Sequence, residues 1–123
     1  MERITDLCKI EWIILPAPDL ESAKTFYSEV FGFMISEYSD RFWVFKAGNL
    51  SGGLDRDLVV NKQGIRFSIT VSDIEQALSA ILERGGQVLK RSHSLGAGAG
   101  YCAQFEDPNG NVLELYSPPQ RTD

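Results

Sequence analysis

The sequence predicts an α+β domain assembled from two copies of a β-α-β-β-β unit, and three observations support that prediction. Sliding the chain against itself by 54 positions sets Asp19 on Asp73, Leu20 on Ile74, Glu21 on Glu75, Ala23 on Ala77, Glu29 on Glu83 and Gly32 on Gly86 without a gap, the mark of a repeated supersecondary unit. Each half opens with an apolar run of strand character that leads into a capped amphipathic helix. Each helix is then followed by three short strand-like runs separated by turn residues. Repeat one covers about residues 8–58 and repeat two about 64–118, with a linker over 59–64, and residues 1–123 make a single domain.

The elements follow in order. Residues 9–15 read as a strand because Ile10, Trp12, Ile13, Ile14 and Leu15 form a nearly continuous apolar run. Pro16 and Pro18 close it, since proline cannot donate to a central ladder. Asp19 is a good N-cap, Leu20, Ala23, Phe26, Tyr27 and Val30 recur at helical spacing, and Gly32 supplies the stop. Shorter strands follow over 33–36, 41–46 and 51–56. In the second half a strand over 65–71 leads into Ser72-Asp73-Ile74-Glu75, a capping-box pattern in which Ser72 and Glu75 satisfy each other's free amides. Its helix runs through Ala77, Leu78, Ile81 and Leu82 and stops at Gly85-Gly86. Strands follow over 87–91, 101–106 and 111–116. Asp107-Pro108-Asn109-Gly110 joins the last two as a hairpin, because proline suits the second turn position and Asn-Gly tolerates positive φ.

Composition narrows the function classes. A chain of 123 residues buries roughly two thirds of its unfolded surface on folding, enough for one core. Its 43% hydrophobic and 24% charged residues lie outside the regime of disorder. A net charge of -5 without any Lys/Arg cluster argues against a nucleic-acid partner. The longest apolar run, 13–17, is far shorter than the roughly 20 residues of a membrane span, and no basic leader with a cleavage site precedes it. A soluble cytoplasmic protein is expected. Cys8 and Cys102 are widely separated and match neither a disulfide framework nor a CxxC metal spacing, which suits a reducing compartment.

Pro18-Asp19-Leu20-Glu21-Ser22-Ala23-Lys24-Thr25-Phe26-Tyr27, followed by Val30-Phe31-Gly32-Phe33, resembles the first-helix signature of the vicinal oxygen chelate superfamily, the glyoxalase, bleomycin resistance and extradiol dioxygenase group. The second half adds Val71-Ser72-Asp73-Ile74-Glu75 and the closing hairpin Phe105-Glu106-Asp107-Pro108-Asn109-Gly110-Asn111-Val112-Leu113-Glu114-Leu115, so the resemblance covers nearly the whole chain. It implies that the two units curl an eight-stranded mixed sheet into a cup with the helices outside. It also implies that function resides in the cup and that the chain pairs as a homodimer. It does not select a reaction, because this scaffold hosts isomerases, epimerases, lyases, ring-cleaving dioxygenases, thiol transferases and antibiotic-binding proteins.

Metal-dependent members of that superfamily gather His and carboxylate ligands from the first and last strand of each unit, leaving open positions on the ion. Seven residues before the helix-capping aspartate, where the family's first-strand ligand sits, this chain has Trp12 in one unit and Arg66 in the other. Neither side chain binds a metal. The first unit's last strand offers Ser51-Gly52-Gly53, and only Glu114 matches the family's carboxylate in the final strand. Glu11 points to the face opposite Trp12, Asp55 has uncertain parity, and His93, the single histidine, falls in a Gly-rich loop. No metal cofactor is expected. A divalent ion (Zn, Ni, Mn or Fe) held with Glu114 is the alternative.

In place of the ion, Arg66 is expected to pair with Glu114, since a guanidinium compensates a buried carboxylate through two parallel hydrogen bonds. The alternative has Arg66 leaning into solvent and Glu114 hydrated at the cup mouth. Val112, Glu114 and Tyr116 share one face of the last strand, and Leu113 and Leu115 the other. Alignment with the family places Cys102 and Gln104 in the cup with Tyr101, Ala103 and Phe105 packed behind. Trp12 is either a stacking surface for a planar ligand or plain core filling. Cys102 lacks the neighbouring base or positive field that a thiolate nucleophile needs. Gly96-Ala97-Gly98-Ala99-Gly100 precedes a strand and opens no helix, so it reads as a mobile flap and not as a dinucleotide loop. His93 within it either reaches a bound ligand or is solvated.

The candidate ligand-binding set is therefore Trp12, Arg66, His93, Cys102, Gln104 and Tyr116, with Glu114 as candidate acid or base. Three functions fit: a metal-free protein that binds a small planar or amphiphilic molecule, a lyase, isomerase or dioxygenase that uses Glu114, and a protein-association module working through strand edges.

Overall fold

The computed structural model describes residues 10–119. Its elements run β1 (Trp12–Pro16), α1 (Leu20–Phe31), β2 (Met34–Glu37), β3 (Phe42–Ala47), β4 (Leu50–Asp55), β5 (Ser68–Thr70), α2 (Ile74–Glu83), β6 (Gln87–Ser94), β7 (Tyr101–Glu106) and β8 (Val112–Ser117), the β-α-β-β-β order twice over. Each half forms one four-stranded mixed sheet, ordered β1-β4-β3-β2 and β5-β8-β7-β6. The first strand of each half pairs parallel with the last, and the other neighbours are antiparallel. No helix of the described residues is long and apolar enough to cross a membrane.

Each helix begins at an aspartate. The Asp19 carboxylate accepts from the Ser22 amide at 3.1 Å, and α1 ends on Gly32 at φ 72°, where a Cβ is penalised. In α2 the cap is Asp73, which accepts from the Gln76 amide at 3.1 Å, so the Ser72/Glu75 box expected from sequence is not the one formed. With Asp73 extended and Ile74 the first helical residue, Glu75 sits one position too early to reach back to the cap.

The helices pack on one face of their sheets, and a single apolar cluster runs through both halves. Phe26, fully buried in α1, lies 6.1 Å from the Phe105 ring of β7, and Phe31 lies 5.7 Å from the same ring. Burying one such side chain is worth about 1.5–3 kcal/mol, so these aromatics are a main tie between the halves.

The hairpin turn before β8 is the second tie. Asp107 Oδ1 accepts from the amides of Asn109 and Asn111, and its Oδ2 accepts from the Tyr27 hydroxyl at 2.7 Å and Asn111 Nδ2 at 2.9 Å. Asn111 Nδ2 also donates to the Pro16 carbonyl at 2.6 Å, and Asn109 exchanges two hydrogen bonds with the Asp19 backbone. A turn in the second repeat thereby holds the β1–α1 junction of the first.

Three elements depart from expectation. The strand expected over 65–71 contracts to Ser68–Thr70, leaving Ile65 and Arg66 in a loop. Asn61 builds a tight turn there, accepting from Gln63 through its side chain and from Gly64 through its carbonyl, and the Arg66 guanidinium donates to the Lys62 carbonyl at 2.9 Å. β6 instead extends to Ser94, carried past its expected end by register shifts between Val88 and His93. The apolar run expected from Lys9 begins at Trp12, Lys9 itself lying outside the described residues.

Candidate functional site

Alternation along β8 sends Leu113 and Leu115 into the core and turns Val112, Glu114 and Tyr116 to the bare face of the sheet, as their spacing predicts. β7 runs beside it with Cys102 opposite Tyr116 and Gln104 opposite Glu114. Four candidate residues therefore share one surface. Gln104 Nε2 donates to Glu114 Oε1 at 3.2 Å, and the Cys102 thiol donates to Oε2 at 4.0 Å. Ala103 and Phe105 are buried behind them, but Tyr101, at the strand's start, is 40% exposed beside the N-terminus of α2.

This setting makes the thiol a donor. Burial pushes the Cys102 pKa up, the Glu114 charge pushes it further, and Lys90 pulls weakly the other way. Glu114→Gln is accordingly expected to speed iodoacetamide alkylation of Cys102 at pH 7.5 by about two- to five-fold, measured in a Cys8→Ser background. An unchanged or slower rate would show that the carboxylate does not govern the thiol.

The longer β6 moves His93 out of the Gly-rich loop and onto a strand, opposite Cys102. Its Nδ1 lies 3.2 Å from the Arg91 carbonyl, an acceptor only, so in the neutral ring Nδ1 carries the proton and Nε2 keeps its lone pair. Lys90 stands opposite Gln104, Ser68 opposite Glu114 and Thr70 opposite Tyr116. Sequence reasoning missed all three; alternation along β5 reveals Ser68 and Thr70 once Glu114 is chosen, whereas the irregular register of β6 hides Lys90. The segment expected as a flap is a closed hairpin loop: Leu95 donates to the Gly100 carbonyl at 2.9 Å, and the Tyr116 hydroxyl donates to the Ala99 carbonyl at 2.8 Å. Gly100 has φ 101°, and a Cβ there would press on Ser117 and Tyr116, so Gly100→Ala is expected to destabilise by about 1–2 kcal/mol in urea unfolding.

Trp12 and Arg66 are brought together elsewhere. They line a cleft of about 680 Å³ between β1 on one side and the 59–67 segment with the start of β8 on the other. Trp12 is 48% exposed there, which rules out plain core filling. The expected ion pair of Arg66 with Glu114 is not formed: loop geometry holds the guanidinium on the Lys62 carbonyl, while Glu114 is bonded to Gln104 and Cys102. Val112 connects the two places, lining the cleft one pleat, roughly 7 Å, from Glu114 on the same face of β8.

The four positions that the family resemblance implies for metal ligands do not suit an ion. They hold the Trp12 indole, the loop guanidinium of Arg66, the Ser51-Gly52-Gly53 stretch of β4, and Glu114. Gly52 and Gly53 lie against the rings of Phe45 and Phe42, which occupy the space a ligating side chain needs. Among the described residues no three His, Cys, Asp or Glu side chains are grouped closely enough to hold a metal.

A model of the Glyoxalase/Bleomycin resistance protein/Dioxygenase superfamily matches residues 9–115. A "Glyoxylase-like domain-containing protein" of Didymella fabae is 28% identical over 121 residues, spanning 90% of this chain and 94% of its own. Among solved structures, a glyoxalase/bleomycin resistance protein/dioxygenase family enzyme from Burkholderia phytofirmans PsJN superposes with a TM-score of 0.77 at 16% identity, over 90% of this chain and 99% of that one. The genomically encoded fosfomycin resistance protein of Listeria monocytogenes superposes with a TM-score of 0.74 at 15% identity, over 91% of each chain. At these identities the structures share the fold alone, whereas the family model runs through both repeats: the chain belongs to the glyoxalase/bleomycin resistance protein/dioxygenase superfamily.

Proposed function

We propose that this superfamily member is a cytoplasmic binding protein that takes up a small planar or amphiphilic molecule without the family's metal, as a homodimer. The observation that carries the reading is the pairing of two surfaces: an apolar cleft with a half-exposed indole, and one pleat along β8 a polar patch of Glu114, Gln104 and Cys102. A cleft of about 680 Å³ falls in the range that encloses a drug-sized ligand, and a few directional polar groups beside it fix orientation. Support for pairing comes from Met34 and Tyr38, 72% and 79% exposed on and just beyond β2, a strand with a partner on one side only.

The test is metal content of protein purified without chelator, with thermal shifts on adding Zn, Ni, Mn and Fe(II). No stoichiometric metal and no shift above about 1 °C are expected. Stoichiometric metal that Glu114→Ala removes would overturn the metal-free reading. Light scattering reports the homodimer directly, as a mass near twice 13.7 kDa.

A second reading is favoured by one observation: among the described residues Glu114 makes no ion pair, so a half-buried titratable group stands beside the cleft. An enzyme of lyase, isomerase or dioxygenase type using Glu114 as acid or base would exploit it. Turnover abolished by Glu114→Gln with ligand affinity retained is the result that would put this reading first.

A further inference from the structure

We infer that the cleft between the halves selects an apolar monocarboxylate, with Arg66 as the residue that reads the charge. This rests on the small-molecule reading above and assigns its ligand class.

Among the described residues the lining is apolar apart from Asn61, Arg66 and Asn111. Both asparagines are neutral and held within the fold: Asn61 Oδ1 accepts from the Gln63 amide within its own turn, and Asn111 Nδ2 is shared between Asp107 and the Pro16 carbonyl. Among the described residues that line the cleft Arg66 is the only charged side chain, and its one hydrogen bond within them, to the Lys62 carbonyl, leaves four of about five N–H groups to present. Among the described residues no carboxylate lines the cleft to neutralise it. In a chain whose net charge is -5, a guanidinium left unpaired beside apolar walls is a local reversal of sign.

Its surroundings define the rest of the ligand. Ile65, 99% exposed, and Val59, 87% exposed, flank Arg66, and Trp12 and Ile14 present a broad apolar wall across the cleft. A ligand that covers these side chains needs a hydrophobic body, and a planar carboxylate matches the guanidinium fork in two parallel hydrogen bonds. A doubly charged phosphate fits less well, since one guanidinium leaves half its charge to be desolvated against isoleucine and valine. The acid can be aromatic, stacking on the indole, or a medium-chain fatty acid, lying along the isoleucines; the shared chemistry is an apolar body with a single carboxylate.

Isothermal titration of the intact protein with four probes tests this: 2-naphthoate, 2-naphthalenemethanol, 2-naphthylmethylammonium and decanoate. The acid is expected to bind at least about 10-fold tighter than the isosteric alcohol, with the ammonium weakest. Arg66→Gln, an exposed loop substitution compatible with folding, is expected to bring naphthoate to the alcohol's affinity and leave the alcohol unchanged. Trp12→Ala separates the sources of the acid, weakening naphthoate more than decanoate if the body is aromatic and both equally if it is aliphatic. Equal affinity for acid and alcohol, or a preference that survives Arg66→Gln, overturns the charge selection while leaving small-molecule binding in place. Binding of none of the four overturns both.

Discussion

Replacing Asp107 with alanine is expected to lower stability by about 3 kcal/mol and the midpoint of thermal unfolding by about 10–15 °C. The side chain is 2% exposed and accepts four hydrogen bonds, from the Asn109 and Asn111 amides, the Tyr27 hydroxyl and Asn111 Nδ2. Truncation orphans donors in a place water does not enter readily, and each orphan costs about 1–3 kcal/mol before relaxation. It also frees Tyr27 and Asn111, the two side chains through which the turn grips α1 and β1. Asp107→Asn keeps the volume and half of the acceptors. Its amide nitrogen then faces Asn111 Nδ2 donor to donor, so a loss of about 1–2 kcal/mol is expected. Urea unfolding of the three proteins orders them, and an alanine variant within about 0.5 kcal/mol of wild type would dissolve the clamp.

The same carboxylate gives the fold a pH signature. Burial raises the Asp107 pKa, against the lowering exerted by Asn111, Tyr27 and the backbone amides. A carboxyl whose folded pKa lies above the unfolded value binds its proton more tightly in the native state. Its contribution is therefore fully present below the ordinary value of 3.8 and is lost as pH rises through the raised folded value. Asp107→Asn removes that dependence, so the gap in urea midpoint between wild type and variant is expected to change across this window and to be level above it. The Tyr27 hydroxyl, pushed well above 10.0 first by burial and then by the Asp107 charge, keeps its proton and its role as donor through the same range.

How far the sequence revealed the fold can be traced to particular residues. The repeat was legible because Asp19 and Asp73 begin both helices, Gly32 and Gly86 align behind them, and the alternation of β8 is unbroken from Val112 to Ser117. The apolar pattern overdraws β5 because Ile65 and Phe67 have strand composition, while the loop is held by hydrogen bonds it does not encode, from Gln63 and Gly64 to Asn61 and from Arg66 to the Lys62 carbonyl. Alternation ends β6 too early because its register shifts break the period of two on which strand reading depends.

The site divides in the same way. Parity along β8 places Glu114 and Tyr116 on one face, the family resemblance implies Cys102 and Gln104 beside them, and ladder pairing brings the four together. Counting back from Asp73 assigns Arg66 to Glu114 and presumes a regular strand where the chain is a loop. One shift in local backbone thus moved a cation from the polar patch to the apolar cleft, where Trp12 also lies. Positions set by short-range alternation were readable, and positions that depend on where a strand starts were not.

Phe26→Ala is the second substitution with a large expected effect, about 3–5 kcal/mol. The ring is fully buried and meets Tyr27 edge-on at 5.0 Å, Phe31 at 6.0 Å and Phe105 at 6.1 Å. Gly86 lies close enough that a Cβ there would approach the Phe26 ring at 3.0 Å, so backbone as well as side chains fixes the shape of the hole left behind. Collapse into it is resisted from both sides, by the helix on one and by β7 on the other, which puts the loss at the upper end of the range for aromatic truncation. Because Phe26 belongs to the first repeat and Phe105 to the second, the loss is expected in one cooperative transition, with far-ultraviolet circular dichroism and the fluorescence of Trp43, in the first half of the shared core, moving together. Two separated transitions in the variant, with the second repeat melting at its wild-type midpoint, would mean that the halves are stable alone and that the aromatic contact merely joins them. Coincident transitions shifted by the full amount would instead make the shared core the condition for either half to fold.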